Sequence, residues 1–141
     1  MKLCIVIATY NRADDLIECI KSINLQTVEP DKIIIVDSTT YSDKNIEERI
    51  REVSSLNIQY INTKQKGLTL QRNLALKLIP NDADLVMFLD DDILLENDYV
   101  ENIIKFLEED TNEEIGGVEG YLTREIEDFN TSPCELYHIT R

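Results

Sequence analysis

Residues 32–36 read Lys-Ile-Ile-Ile-Val. A run of β-branched apolar residues with no polar alternation has no wet face. A strand made from it is buried on both sides, as in a parallel sheet covered by helices. Three more apolar runs of strand length lie at 3–8, 58–61 and 85–89. Between them the apolar residues recur at helical spacing. Residues 13–25 place Leu16, Ile17, Ile20 and Ile23 on one face, with Asp14 and Asp15 in the first turn. Residues 43–53 carry Ile46, Ile50 and Val53, and 98–108 carry Val100, Ile103, Ile104 and Leu107. A third helix is predicted at 68–78, stopped by Pro80. A fifth strand is predicted at 115–119, and 121–141 show no clear period. The fold class is therefore α/β: a mostly parallel sheet with helices on both faces.

The chain has 141 residues, 43% of them hydrophobic, enough for one domain with a real core. No stretch approaches transmembrane length, and the apolar run at 3–8 is too short for a signal-peptide core. Cys4, Cys19 and Cys134 are odd in number and widely spaced. They suit small core residues in a reducing cytosol better than a disulfide framework or a zinc site. The formal net charge of −14 argues against nucleic-acid binding and against direct adsorption to an anionic membrane. It also means that an anionic ligand needs a cation or local basic groups to mediate its binding.

In open parallel sheets, ligands gather beyond the carboxyl ends of the strands. The residues at those ends are 9–12, Asp37, 64–67 and the triplet Asp90, Asp91 and Asp92. Three adjacent carboxylates repel unless a counter-charge is present, and a divalent cation supplies one. The bland alternative is a solvated acidic turn before a helix. An EF-hand loop does not fit, because Leu94 and Leu95 stand where a ligand and the turn glycine belong. Mg²⁺ or Mn²⁺, keeping waters and sharing phosphate oxygens, suits one or two of these carboxylates. Asp37 can accept from a base N–H or a ribose hydroxyl, and Tyr10 offers a stacking face. Each is also an ordinary turn or packing residue. Arg12, Lys66 and Arg72 are the cations expected at this edge, and Gly67 lets backbone N–H groups approach a phosphate. His138 receives no role, and no serine–histidine–acid set can be assembled around it.

These segments together resemble the family-2 inverting glycosyltransferases with the Rossmann-like GT-A fold. The resemblance rests on CIVIATYNRADDLIECIKSINLQT, IIIVDSTTYSD, GLTLQRNLAL and VMFLDDDILLENDYVENII, in that order, and runs from about Lys2 to Gly120. It implies that Thr9, Tyr10 and Arg12 lie by the base and phosphates, that Asp37 lies beside the base, and that Arg72 reaches the nucleotide. Lys66 and Gly67 join that donor set. The triplet resembles the DxD signature: Asp90 or Asp91 would touch ribose or metal, and Asp92 would be the main ligand of Mn²⁺ or Mg²⁺. The implied donor is a nucleotide-sugar, most often a UDP-sugar, and the implied acceptor is a hydroxyl of unknown origin.

Two departures stand out. Ser38 replaces a second acid or asparagine, and the family's general base lies downstream of DxD, on an acceptor-binding half. Residues 1–120 are thus expected to form the donor-binding domain and 121–141 the start of that other half. Glu125, Glu127 and Asp128 sit in no recognisable motif, so the catalytic base is unknown. A partner chain or second copy would cover an exposed sheet edge, and association with the cytosolic face of a membrane would need a partner or a further segment. The alternative is a non-catalytic module that binds a nucleotide diphosphate. A phosphoacceptor receiver domain is disfavoured because TYNR, not an acidic pair, follows the first strand. A sugar-nucleotidyltransferase is disfavoured because no glycine-rich loop does.

Overall fold

Four strands form one fully parallel sheet in the order β3-β2-β1-β4: β1 (Leu3–Thr9), β2 (Lys32–Asp37), β3 (Ile58–Asn62) and β4 (Leu85–Asp90). The computed structural model describes residues 1–40, 45–112, 114–120 and the strand at 137–138. Its helices are α1 (Ala13–Asn24), α2 (Ile46–Val53), α3 (Leu68–Leu76) and α4 (Tyr99–Glu108). The chain divides into two compact units, Met1–Glu101 and Asn102–Arg141, and the parallel sheet belongs wholly to the first. No helix among the described residues is long and apolar enough to cross a membrane.

Strand alternation divides the core. Cys4, Val6, Ile34 and Val36 face one side of the sheet and pack with Ala75 of α3, flanked by Leu74, Leu78 and Val86. Leu3, Ile5, Ile7, Ile33 and Ile35 face the other way and are equally buried. The buried stripes of α1 (Leu16, Ile17, Ile20, Ile23) and α2 (Ile46, Ile50) complete this core, and those two helices touch each other. β2 is apolar on both faces for this reason, so its lack of alternation was a sound signal.

Each strand extends one residue beyond its apolar run. Thr9 pairs with Asp37, Ala8 with Asp90, and Asp37 with Asn62. Ladder hydrogen bonds involve only the backbone, so polar residues continue the sheet and are held rigidly at its carboxyl edge. The predicted third helix ends earlier than expected, at Leu76. Lys77 and Leu78 close it with tighter bonds to the Leu74 and Ala75 carbonyls. Of the second predicted helix, residues 43 and 44 lie outside the described residues, and the helix begins at Ile46.

The fifth strand needs correction. Only β5 (Val118–Glu119) is extended there. It pairs antiparallel with β6 (Tyr137–His138) and not with the parallel sheet. Gly116 and Gly117 carry no side chain to bury, so the first half of that run has little to hold it in a strand. The stretch without periodicity therefore supplies a strand pairing that two residues could not announce.

A buried polar clamp fixes the segment after β4. Ser22 Oγ accepts from Leu95 N–H at 3.1 Å and donates to the Cys19 carbonyl. Gln26 is buried; its Nε2 donates to the Glu96 carbonyl at 2.6 Å, and its Oε1 accepts from Val100 N–H at 3.0 Å. Thr27 N–H adds a bond to the Asn97 carbonyl at 2.8 Å. The end of α1 thus grips the loop that carries the acidic triplet. Gln26→Ala would leave the buried Val100 N–H, in the first turn of α4, without this partner and remove the bond to the Glu96 carbonyl, at a cost of about 1–3 kcal/mol. Urea unfolding should show that loss, with the m-value unchanged.

Candidate functional site

The strand order places β1 between two chain directions. The path runs outward from β1 through β2 to β3, then returns to β4 on the opposite side. A crevice beyond the carboxyl ends at such a reversal is where open α/β sheets hold ligands. A cavity of about 460 Å³ lies there, bordered by Thr9, Tyr10, Arg12, Lys66, Gly67 and the three acids, among others. A second cavity of about 350 Å³ adjoins it, sharing Thr9 and Arg12 and adding Asn11, Asp37, Thr39 and Arg49.

The turn from β1 into α1 depends on Asn11, whose φ of 56° is left-handed. Asparagine tolerates this conformation better than most residues. Its N–H donates to Thr39 Oγ1 at 2.8 Å, tying the turn to the end of β2. The turn delivers Arg12 to the acids. Asp91 is buried: Thr9 Oγ1 donates to its Oδ2 at 2.6 Å, and Arg12 Nη1 donates to its Oδ1 at 3.2 Å. The same Arg12 nitrogen donates to Asp92 Oδ2 at 2.6 Å. Asp90 instead accepts from Arg72 Nη2 at 3.0 Å, while the Arg72 guanidinium lies 5.3 Å from the Phe88 ring centre. The counter-charges the sequence demanded are thus present as two arginines. Among the described residues no three histidine, cysteine or acidic side chains converge in a metal-holding group.

Charge and burial shift several groups. Arg12 is held above its usual range, chiefly by the charge of Asp91 and then by its bond to Asp92. Burial pushes the Cys19 thiol up to about 12, and the neighbouring acids Asp91, Asp92 and Asp90 add to the effect. Its Sγ–H faces the Asp90 carbonyl at 3.7 Å. Cys4 is likewise raised by burial. Both behave as core residues, as their spacing implied. Lys66 Nζ donates to Tyr10 Oη at 3.1 Å and lies 4.8 Å from the ring centre, and this contact lowers the Tyr10 phenol. Gly67, with φ of 126°, begins α3 in a conformation that only glycine adopts without strain.

The sequence-predicted residues therefore gather at one edge, with one division among them. Tyr10, Lys66, Gly67 and the three acids border the larger cavity, whereas Asp37 borders the smaller one. Arg72 reaches the edge through Asp90. Asp37 is also more occupied than a free base-recognition group: its Oδ1 accepts from Thr39 N–H at 2.7 Å and its Oδ2 from Tyr60 Oη at 2.6 Å. Three contributors had no role assigned from the sequence: Asn11 and Gln71, which lie within the quoted motif segments, and Tyr60. Gln71 is buried, and its Nε2 donates to both the Thr9 and Val36 carbonyls at 2.8 Å, tying together the tips of β1 and β2. Tyr60 pairs with Ile35, so it stands diagonal to Asp37 on one face, a relation that strand register alone reveals. Glu125, Glu127 and Asp128 lie outside the described residues.

Comparison with known proteins gives a consistent set. The family model described as glycosyl transferase family 2 matches residues 4–132. The chain is 31% identical over 108 residues to the O-antigen chain rhamnosyltransferase RfbN of Salmonella typhimurium, covering 75% of this chain and 33% of the relative. It is 35% identical over 124 residues to the chondroitin synthase of Escherichia coli, covering 85% and 18% respectively. It therefore spans about a third or less of the length of these relatives. Among solved structures, S. aureus TarS 1–349 in complex with UDP superposes with a TM-score of 0.65 at 25% identity, covering 77% of this chain and 32% of that one.

The Tyr60–Asp37 contact gives a prediction about pH. Burial, then the bond to Asp37, raises the Tyr60 phenol well above its usual value. A raised folded pKa stabilises the protein fully below the unfolded pKa of about 10 and loses that contribution as pH rises toward the folded value. Wild-type stability should therefore fall between about pH 10 and pH 11.5. Tyr60→Phe, which has no proton to lose, should fall less over the same interval. Urea midpoints measured at both pH values check this; parallel losses in the two proteins would refute it.

Proposed function

Since the chain belongs to glycosyl transferase family 2, we propose that it forms the nucleotide-sugar site of an enzyme that passes a sugar from a UDP-sugar to an acceptor hydroxyl. The observation that carries this reading is the sheet-edge cavity where Arg12, Lys66 and the start of α3 meet the strand-end acids. A dianionic ligand entering a chain of net charge −14 needs such local cations. The UDP complex of TarS supports the choice of nucleotide.

The donor set suits Mg²⁺ or Mn²⁺. Asp90 and Asp92 are 59% and 50% exposed at their side chains, and both border the cavity. Such ions take one or two carboxylates, with waters and substrate phosphates filling the remaining positions, so a three-acid group is not required. Asp92, with Asp90, would hold the ion. When bound, the ion would neutralise charge developing on the leaving diphosphate.

The chain's own groups have separate tasks. Arg12 and Lys66 bind and orient the phosphates, and Gly67 and Leu68, where α3 begins, border the same cavity and offer backbone N–H groups. Asp91, turned inward onto Thr9, positions Arg12 and fixes β4 against β1. Asp37 retains lone pairs for a base N–H at the second cavity, while Tyr10, across the shared Thr9 and Arg12, offers its ring. Arg72 steadies Asp90. We place the protein in the cytoplasm, because the buried thiols Cys4 and Cys19 are unpaired.

One observation favours the second reading, a module that binds a nucleotide diphosphate without transferring sugar. Among the described residues, every acid bordering the two cavities is already bonded within the chain: Asp14 to Arg49, Asp37 to Thr39 and Tyr60, and the triplet to Thr9, Arg12 and Arg72. Each already serves a donor or a cation of the chain, so none is set aside as a general base for an acceptor. Robust sugar transfer by this chain would exclude that reading.

Calorimetric titration with UDP tests the donor site. Binding should require Mn²⁺, vanish with chelator, and weaken at least about tenfold, or 1.4 kcal/mol, in Asp92→Asn. Asp37→Ala should weaken UDP and UDP-sugar alike. Equal UDP affinity with and without metal would remove the metal from the account, and an Asp37 effect confined to the sugar-bearing ligand would remove the base contact.

A further inference from the structure

We infer that Arg12 occupies the cation's place in the ligand-free protein, so that divalent-metal binding waits on the nucleotide diphosphate. This rests on the metal-assisted reading of the site. Arg12 Nη1 lies 2.6 Å from Asp92 Oδ2 and 3.2 Å from Asp91 Oδ1. One guanidinium nitrogen therefore spans two carboxylates of the triplet, while Arg72 neutralises the third. A divalent ion coordinating the same Asp92 oxygen would sit at about 2.1 Å from it. Two cations that close on one carboxylate oxygen repel, so the ion and this guanidinium position compete.

Arg12 is able to leave. Its side chain is 51% exposed, and it stands at the start of α1, bordering both cavities. Among the described residues its ion pairs are with Asp91 and Asp92 alone. Leaving without another anion to receive it strips Asp91, 7% exposed, of its charged partner. A diphosphate in the cavity supplies the missing anion, and guanidinium–phosphate pairing is well matched in geometry. Metal and diphosphate then help each other through a third party: the ion frees Arg12, and the phosphate receives it. The coupling is reciprocal, as linkage requires.

Direct contact between metal and phosphate would also couple the two ligands, so the test must change Arg12. Titration of Mn²⁺ alone should be about two- to fivefold tighter in Arg12→Met than in wild type, the range expected for a half-exposed charged pair. Titration of Mn²⁺ with saturating UDP should be weaker in Arg12→Met. Arg12→Lys, which keeps a competing charge, should stay close to wild type for Mn²⁺ alone. If Asp91, left unpaired, prevents Arg12→Met from folding, the double variant with Asp91→Asn removes the orphaned charge and should show the same gain. Unchanged affinity for Mn²⁺ alone in a folded Arg12→Met or double variant overturns the exchange, even where UDP and Mn²⁺ enhance each other. No mutual enhancement in wild type overturns the metal reading itself, and the exchange with it.

Discussion

The contact on which the site depends most is the one between Thr9, Asp91 and Arg12. Asp91 is the first residue past β4, Thr9 ends β1, and Arg12 opens α1. The 2.6 Å bond from the Thr9 hydroxyl to a buried carboxylate locks together the tips of the two strands where the sheet reverses direction. A buried carboxylate is tolerated only when hydrogen-bonded and charge-balanced. Arg12 supplies the balance, and doing so draws the basic group of the β1–α1 turn into the acidic cluster. A protein with twice as many acids as bases, 28 against 14, thus keeps cations where an anionic ligand would enter.

The rest of the molecule holds that arrangement in place. A parallel sheet buried on both faces sends all its polar strand ends to one edge. Gln71 then ties the tips of β1 and β2 from beneath, bonding both the Thr9 and Val36 carbonyls. From the other side, Ser22, Gln26 and Thr27 grip the loop that follows the triplet. The acids are therefore supported by α3 and by α1 through backbone groups that must be satisfied in any case. Rigid placement of the sheet's carboxyl edge and satisfaction of buried polar groups are here the same set of bonds.

Much of this was legible in the sequence. The unbroken run at 32–36 announced a doubly covered strand, and the polar residues after each apolar run marked the carboxyl edge of the sheet where the cavities lie. Family membership followed from four ordered segments. What was not legible depended on contacts across the chain. Gln26 and Gln71 look like ordinary polar residues until the carbonyls and N–H groups they serve are brought together. Tyr60 reaches Asp37 through strand register. The resemblance singled out Asp92 as the main metal ligand, but nothing in the triplet says that Asp91 is buried while Asp90 and Asp92 are exposed. The antiparallel pairing at Val118–Glu119 escaped for a different reason: two residues beside two glycines carry no periodicity to read.

The central claim is that the sheet-edge cavity holds a metal-bound nucleoside diphosphate, with Arg12 turned from the acids to the phosphates. A crystal structure of the chain grown with UDP and Mn²⁺, recorded at a wavelength where manganese scatters anomalously, measures this directly. The account predicts an anomalous peak about 2 Å from the Asp92 carboxylate, diphosphate in the cavity bordered by Lys66 and Gly67, and the Arg12 guanidinium on a phosphate oxygen. Manganese bound away from Asp90 and Asp92, or UDP seated in the cavity with Arg12 still paired to Asp92, would contradict it.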